Sequence, residues 1–184
     1  MDRLPRQVLR GSCLALIALA LGGVACDSQP ALSPAAGSPV ETRISARDFE
    51  THALDGRTVR LSDYVGKKAV LVDFWATYCQ PCLGMFPHVR RIHEKYKGQL
   101  VVLAVSMDQP ESVAQVPSYV ERNGLRDFVV LLDEDSHVAS LFNPRKVEPF
   151  VLVYDRRGKL VLTHESFNTG DEVLIENAVK AAVQ

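Results

Sequence analysis

The chain has 184 residues, 47% of them hydrophobic and 23% charged, with a formal net charge of -1. That length and balance fit one globular domain with accessory segments, large enough to bury a core without staples. The near-neutral charge, with no basic cluster on any predicted face, argues against a nucleic-acid binder. Of the four cysteines, Cys13 and Cys26 fall in an N-terminal apolar segment. Only Cys79 and Cys82 remain for the folded part, too few for a four-cysteine zinc site, and no metal is expected.

Arg3, Arg6 and Arg10 stand against a single acid, Asp2, and Gly11 to Ala25 is uncharged and rich in Leu and Ala. A positive start followed by such a run is the pattern of a secretory signal. The run is shorter than the ~20 residues a membrane-crossing helix needs. Its end, Leu21-Gly22-Gly23-Val24-Ala25-Cys26, resembles a bacterial lipobox, in which the signal is cut before a cysteine that becomes diacylated. Gly23 departs from the Leu usual there, and the alternative is a plain signal with Cys26 incidental. Asp27 resembles the residue that keeps some Gram-negative lipoproteins in the inner membrane. The resemblance implies a signal over residues 1–25, lipidation at Cys26 and a tether over 26–41. Pro30, Pro34 and Pro39, spaced by Ser, Ala and Gly, would make that tether flexible and partly extended, reaching up to ~45 Å. The folded domain is then 42–184.

Within the domain, Asp55-Gly56 is a turn signal between Phe49–Ala53 and Thr58–Arg60, which predicts a small hairpin. Lys68–Phe74 is a continuous apolar strand interrupted by one acid, Asp73. A helix is expected over Leu83–Tyr96, stopping near Gly98, and Leu100–Ser106 is a second apolar strand. Glu111–Arg122 has helical spacing and ends at Asn123-Gly124, a good C-cap. Phe128–Leu132 reads as a third strand and Val138–Phe142 as a short helix. Phe150–Tyr154 and Leu160–His164 flank the hairpin turn Asp155-Arg156-Arg157-Gly158. Asp171–Val183 closes the chain as an amphipathic helix, with Val173, Leu174, Ala178 and Val179 expected towards the core. Strands alternating with helices, then a hairpin and a last helix, predict an α/β fold with a central mixed sheet covered on both faces.

Cys79-Gln80-Pro81-Cys82 carries the chemistry. Two cysteines three positions apart at a helix start are close enough to pair with each other. They also meet the unpaired N–H groups and positive end of the helix dipole, which stabilise a thiolate. That is the chemistry of a reversible dithiol–disulfide couple, although a CxxC pair alone is also compatible with metal binding. Cys79, nearer the helix start, is the expected attacking thiolate with an exposed sulfur; Cys82, one turn in, is expected to be shielded and to resolve the mixed disulfide. Pro81 suits a first helical turn, where a missing N–H costs nothing.

The run Val72-Asp73-Phe74-Trp75-Ala76-Thr77-Tyr78-Cys79-Gln80-Pro81-Cys82 resembles the active-site strand and turn of thioredoxin. The lead-in Asp55-Gly56-Arg57 and Leu61-Ser62-Asp63-Tyr64 is similar to the extracytoplasmic TlpA/ResA branch of that superfamily. Val147-Glu148-Pro149-Phe150 and the strand after it resemble the family's cis-proline strand. The resemblance implies a thioredoxin-like fold with an N-terminal β-hairpin extension. It implies a disulfide between Cys79 and Cys82 and thiol–disulfide oxidoreductase activity without a cofactor. Asp73 matches the buried acid that accepts the proton of the resolving cysteine; the alternative is an acid satisfied by a local hydrogen bond. Pro149 matches the cis-proline that faces the disulfide, and Pro87 a helix-kinking proline whose role is shape. Trp75, Tyr78, Gln80 and Pro81 form the expected substrate-facing set; the alternative for Trp75 is a packed aromatic. The expected protein is a monomer outside the cytoplasm, anchored to the membrane by lipid. Its implied substrates are disulfides of apocytochrome c or other exported proteins. Its compartment is oxidising, so it would be re-reduced by a transmembrane electron donor.

Two positions depart from the family. Met85 stands where the ResA-like pattern often has a glutamate, so the tuning attributed to that acid does not carry over. Glu148 precedes the cis-proline, where many relatives have a small or apolar residue. A carboxylate approaching Cys79 would disfavour the thiolate, and hence the reduced state, making the couple more reducing. The alternative is that Glu148 turns away to pair with Lys146 or Arg145. Two other functions use the same residues. A Cu(I) metallochaperone would hold its metal on Cys79 and Cys82. A thiol peroxidase would need Thr or Ser where Ala76 stands, and a proline upstream that is missing here. His137, in an acidic loop, is read as a solvated residue rather than a metal ligand.

Overall fold

The structure, a computed structural model, describes residues 48–184. The signal, Cys26, the tether and the domain start near Thr42 lie outside the described residues.

The fold is organised around strand β3 (Ala69–Trp75), all seven residues of which are buried. A strand covered on both faces reads as a continuous apolar run, as this one does apart from Asp73. β3 pairs in parallel with β4 (Leu100–Ser106), which pairs in parallel with β5 (Val129–Leu132). On its other side β3 pairs antiparallel with β6 (Phe150–Tyr154), and β6 with β7 (Leu160–Glu165). The hairpin of β1 (Glu50–Ala53) and β2 (Thr58–Arg60) adds antiparallel to β5, giving among the described residues one seven-stranded sheet in the order β2-β1-β5-β4-β3-β6-β7.

Alternation along β3 divides the interior in two. Ala69, Leu71 and Trp75 face α1 (Gln80–Lys95), α2 (Val116–Asn123) and α4 (Asp171–Ala182). Val70, Val72 and Phe74 face the other way, towards Leu61, Phe49 and α3 (His137–Phe142). The expected mixed sheet with helices on both faces and an N-terminal hairpin is the architecture found.

Three element predictions are corrected. The cysteine-bearing helix begins at Gln80 rather than Leu83, because Cys79 caps it and Pro81 sits in its first turn. The helix predicted over Glu111–Arg122 begins only at Val116, after a 3-10 turn at Val113–Gln115. Pro117 explains the shift: it has no N–H to donate, so it lies in the helix's first turn. The C-cap at Gly124 is as predicted, with φ 65°, a backbone conformation that favours glycine. In α4 the inward stripe is Ile175, Val179 and Ala182, while Val173 and Leu174 are exposed. Of the four residues expected inward, Val179 is buried and Ala178 packs against the core as expected; Val173 and Leu174 fall outside the stripe, whose members are spaced by four and three residues.

Candidate active site

At the end of β3 the chain makes a tight turn into α1. The Cys79 N–H donates to the Ala76 carbonyl at 3.1 Å. Asp108, buried just beyond β4, holds this turn: the Thr77 N–H and Oγ1 donate to its two carboxylate oxygens at 2.9 and 2.6 Å. The Ser106 hydroxyl donates to it as well, at 2.9 Å. Sequence reasoning missed Asp108. The available signal was its place at the carboxyl end of a parallel strand, where α/β sheets gather functional groups.

Cys79 is the N-cap of α1, and its Sγ accepts the Cys82 N–H at 3.2 Å. The two cysteines form a disulfide with a Cα–Cα distance of 5.4 Å. Cys82 is fully buried, as expected. Cys79, expected to be exposed, is instead nearly buried, with 5% exposure. It packs with Trp75 and Ala76 against the α1 face of the sheet. Gln80 and Pro81 are exposed beside it.

Asp73 is fully buried, and neither carboxylate oxygen has a hydrogen-bond partner among the described residues. Strand alternation puts its side chain on the face of Leu71 and Trp75, where Cys79, Cys82, Met85 and Val89 pack. Burial alone pushes its pKa up from 3.8 to about 8. The local hydrogen bond considered as the alternative is absent among the described residues. Near neutral pH this acid therefore lies within reach of both protonation states.

The Glu148–Pro149 peptide bond is cis. Pro149 directly precedes Phe150, which lies opposite Phe74, so the register brings the proline beside the end of β3. Asn143, also buried, shapes the approach: its amide donates to the Val147 carbonyl at 2.7 Å and its oxygen accepts the Val147 N–H at 3.0 Å. The Pro149 carbonyl accepts the Ser166 N–H at 2.8 Å. Among the described residues no group donates to the Glu148 main-chain carbonyl.

Glu148 does not pair with its sequence neighbours. Lys146 donates to the Ser136 hydroxyl and Arg145 pairs with Glu165. Instead the Tyr78 hydroxyl donates to Glu148 Oε1 at 3.2 Å, linking the residue before Cys79 to the residue before cis-Pro149. Burial raises the Glu148 pKa; the bond from Tyr78 lowers it and the charge on Asp108 raises it.

Trp75 leaves the substrate-facing set. It has no exposure, meets Phe86 edge-on at 5.5 Å and stacks on Tyr119 at 5.1 Å. It is a core aromatic, the alternative reading of that residue. Met85 and Phe86 are buried with it, and Pro87 lies inside α1 on its exposed side. His137 is exposed at the start of α3, and its main-chain N–H donates to the Asp135 carboxylate at 3.1 Å.

The profile of the AhpC/TSA family matches residues 43–163. The chain belongs to the AhpC/TSA family. Within it, a thiol–disulfide oxidoreductase ResA of Halalkalibacterium halodurans is 31% identical over 165 residues, 89% of each chain. A solved structure assigned as the thiol:disulfide interchange protein DsbE of Chlorobium tepidum superposes with a TM-score of 0.68 at 31% identity. That match covers 76% of this chain and 95% of the other. The exposed lipoprotein thioredoxin of Streptococcus pneumoniae superposes at 0.59 with 32% identity, over 73% and 98% of the two chains. This AhpC/TSA member is a thiol–disulfide oxidoreductase of the ResA type with a thioredoxin-like fold.

Proposed function

We propose that this protein works outside the cytoplasm as a membrane-tethered reductant of protein disulfides, those of apocytochrome c or other exported proteins. The observation that carries the mechanism is the buried, unpartnered carboxyl of Asp73 on the face that packs the CxxC helix. In the reduced protein Cys79 is the nucleophile, its thiolate stabilised by the Cys82 N–H and the start of α1. It attacks one sulfur of the substrate disulfide; the other leaves as a thiolate and takes a proton from solvent. Asp73 then accepts the proton of Cys82, whose sulfur attacks Cys79. The substrate's second sulfur departs, and the Cys79–Cys82 disulfide remains. Two electrons have passed to the substrate.

The extended substrate segment pairs with the free Glu148 carbonyl beside Pro149, and Tyr78, Gln80 and Pro81 contact it. The carboxylate of Glu148 disfavours the Cys79 thiolate, which lowers the potential of the couple. A transmembrane electron donor restores the dithiol. Residues 1–25 act as the signal, Cys26 carries the lipid, residues 26–41 are the tether and residues 42–184 the catalytic domain, which acts as a monomer. The lipoprotein character of the pneumococcal neighbour supports this placement. Equilibration with glutathione or dithiothreitol buffers tests the direction. A reductant has a potential below about -230 mV, whereas a value near about -120 mV marks an oxidant and overturns the assignment.

A further inference from the structure

One polar bridge spans the mouth of the disulfide site, the Tyr78 hydroxyl to Glu148 Oε1 bond at 3.2 Å. Tyr78 is 61% exposed and Glu148 half-buried, so the pair lies at the rim rather than in the core. Glu148 has given up part of its hydration and received a neutral hydroxyl in return, not a cation. The cations closest to it in sequence are committed elsewhere, Lys146 to Ser136 and Arg145 to Glu165. Behind the rim stands Asp108, tied to Thr77 and Ser106, and its charge bears on Glu148. Among the described residues no Lys, Arg or His pairs with Glu148 or Asp108. The mouth is thus acidic and its outermost carboxylate lacks a counter-charge.

A disulfide that reaches Cys79 brings its own flanking residues to this rim. A lysine or arginine there supplies the missing partner to a partly desolvated carboxylate, where a charge pair is worth more than in open solvent. An aspartate or glutamate adds like charge in the same place. Resting on the reductase reading above, we propose that Glu148, oriented by Tyr78, selects protein disulfides whose reactive cysteine is flanked by a cationic residue.

The test uses full-length reduced protein and three synthetic peptide disulfides, identical but for Lys, Ser or Glu beside the cysteine. Second-order rates are divided by those with dithiothreitol, which removes the intrinsic reactivity of each peptide. The expected order is Lys, then Ser, then Glu, with a Lys-to-Glu ratio of about tenfold at low salt. Glu148→Gln, and separately 0.5 M salt with the unaltered protein, should each bring the ratio down to about twofold or less. A ratio near one in the unaltered protein overturns the proposal, as does a ratio that neither Glu148→Gln nor salt reduces. If all three peptides are reduced equally, only the charge selection falls; if none is reduced, the reductase reading falls with it.

Discussion

Asp73→Asn is the substitution whose effect the structure specifies most fully. The carboxyl moves from a pKa of 3.8 in the unfolded chain to about 8 in the folded one, through burial alone. A raised acid stabilises the fold below its unfolded pKa, and that contribution is lost as pH rises through the folded pKa. Between these values the folded state holds a proton that the unfolded chain has released. Stability therefore falls by about 1.36 kcal/mol per pH unit from this group, and the fall is complete a little above pH 8. From pH 5 to pH 8 the loss is about 4 kcal/mol on an order-of-magnitude basis. An asparagine side chain does not titrate, so the variant should gain that amount relative to the unaltered protein across the same interval. Any constant penalty for its unpaired amide cancels in the comparison. Urea unfolding of the oxidised protein, followed by far-ultraviolet circular dichroism at several pH values, measures the difference. Resolution of a mixed disulfide should meanwhile slow by about 10²-fold, through loss of the proton acceptor. Parallel stability–pH curves for the two proteins would refute the assignment of a buried, titrating Asp73.

Asp108→Ala removes the acceptor for the Thr77 N–H and hydroxyl and for Ser106, inside the fold. It should cost about 3 kcal/mol in chemical denaturation, and a loss below about 1 kcal/mol would show that Asp108 does not hold the turn. Trp75→Phe tests the reassignment of that residue to the core. It should lower stability by about 1–3 kcal/mol while changing the KM for a disulfide substrate by less than about twofold. A raised KM at unchanged stability would return Trp75 to the docking surface.

The sequence made the architecture legible wherever an element had its own local signature. β3, β4 and β6 are apolar runs bounded by turn residues, and Cys79 to Cys82 mark where a strand gives way to a helix. Pro149 is legible too, because its surroundings resemble a known strand and its peptide bond is indeed cis. What failed was side-chain direction. An aromatic four residues before a reactive cysteine can line a groove or fill a core; only the packing with Phe86 and Tyr119 decides for Trp75. Val173 and Leu174 are apolar and helical, yet the α4 stripe that packs begins at Ile175. Glu148 had charged neighbours within three residues, but its partner is Tyr78, 70 positions away. Asp108 had no motif around it and acquired its role from the turn that folds back onto β4.

The central claim is a division of labour between the two cysteines, and covalent trapping tests it most directly. Reduced Cys82→Ser and Cys79→Ser proteins are offered a protein disulfide, and the products are separated without reductant. The account predicts that Cys82→Ser accumulates a mixed disulfide through Cys79, because nothing remains to resolve it, while Cys79→Ser, whose remaining sulfur is buried, accumulates little. Trapping through Cys82 in the Cys79→Ser protein, with none through Cys79, would contradict it.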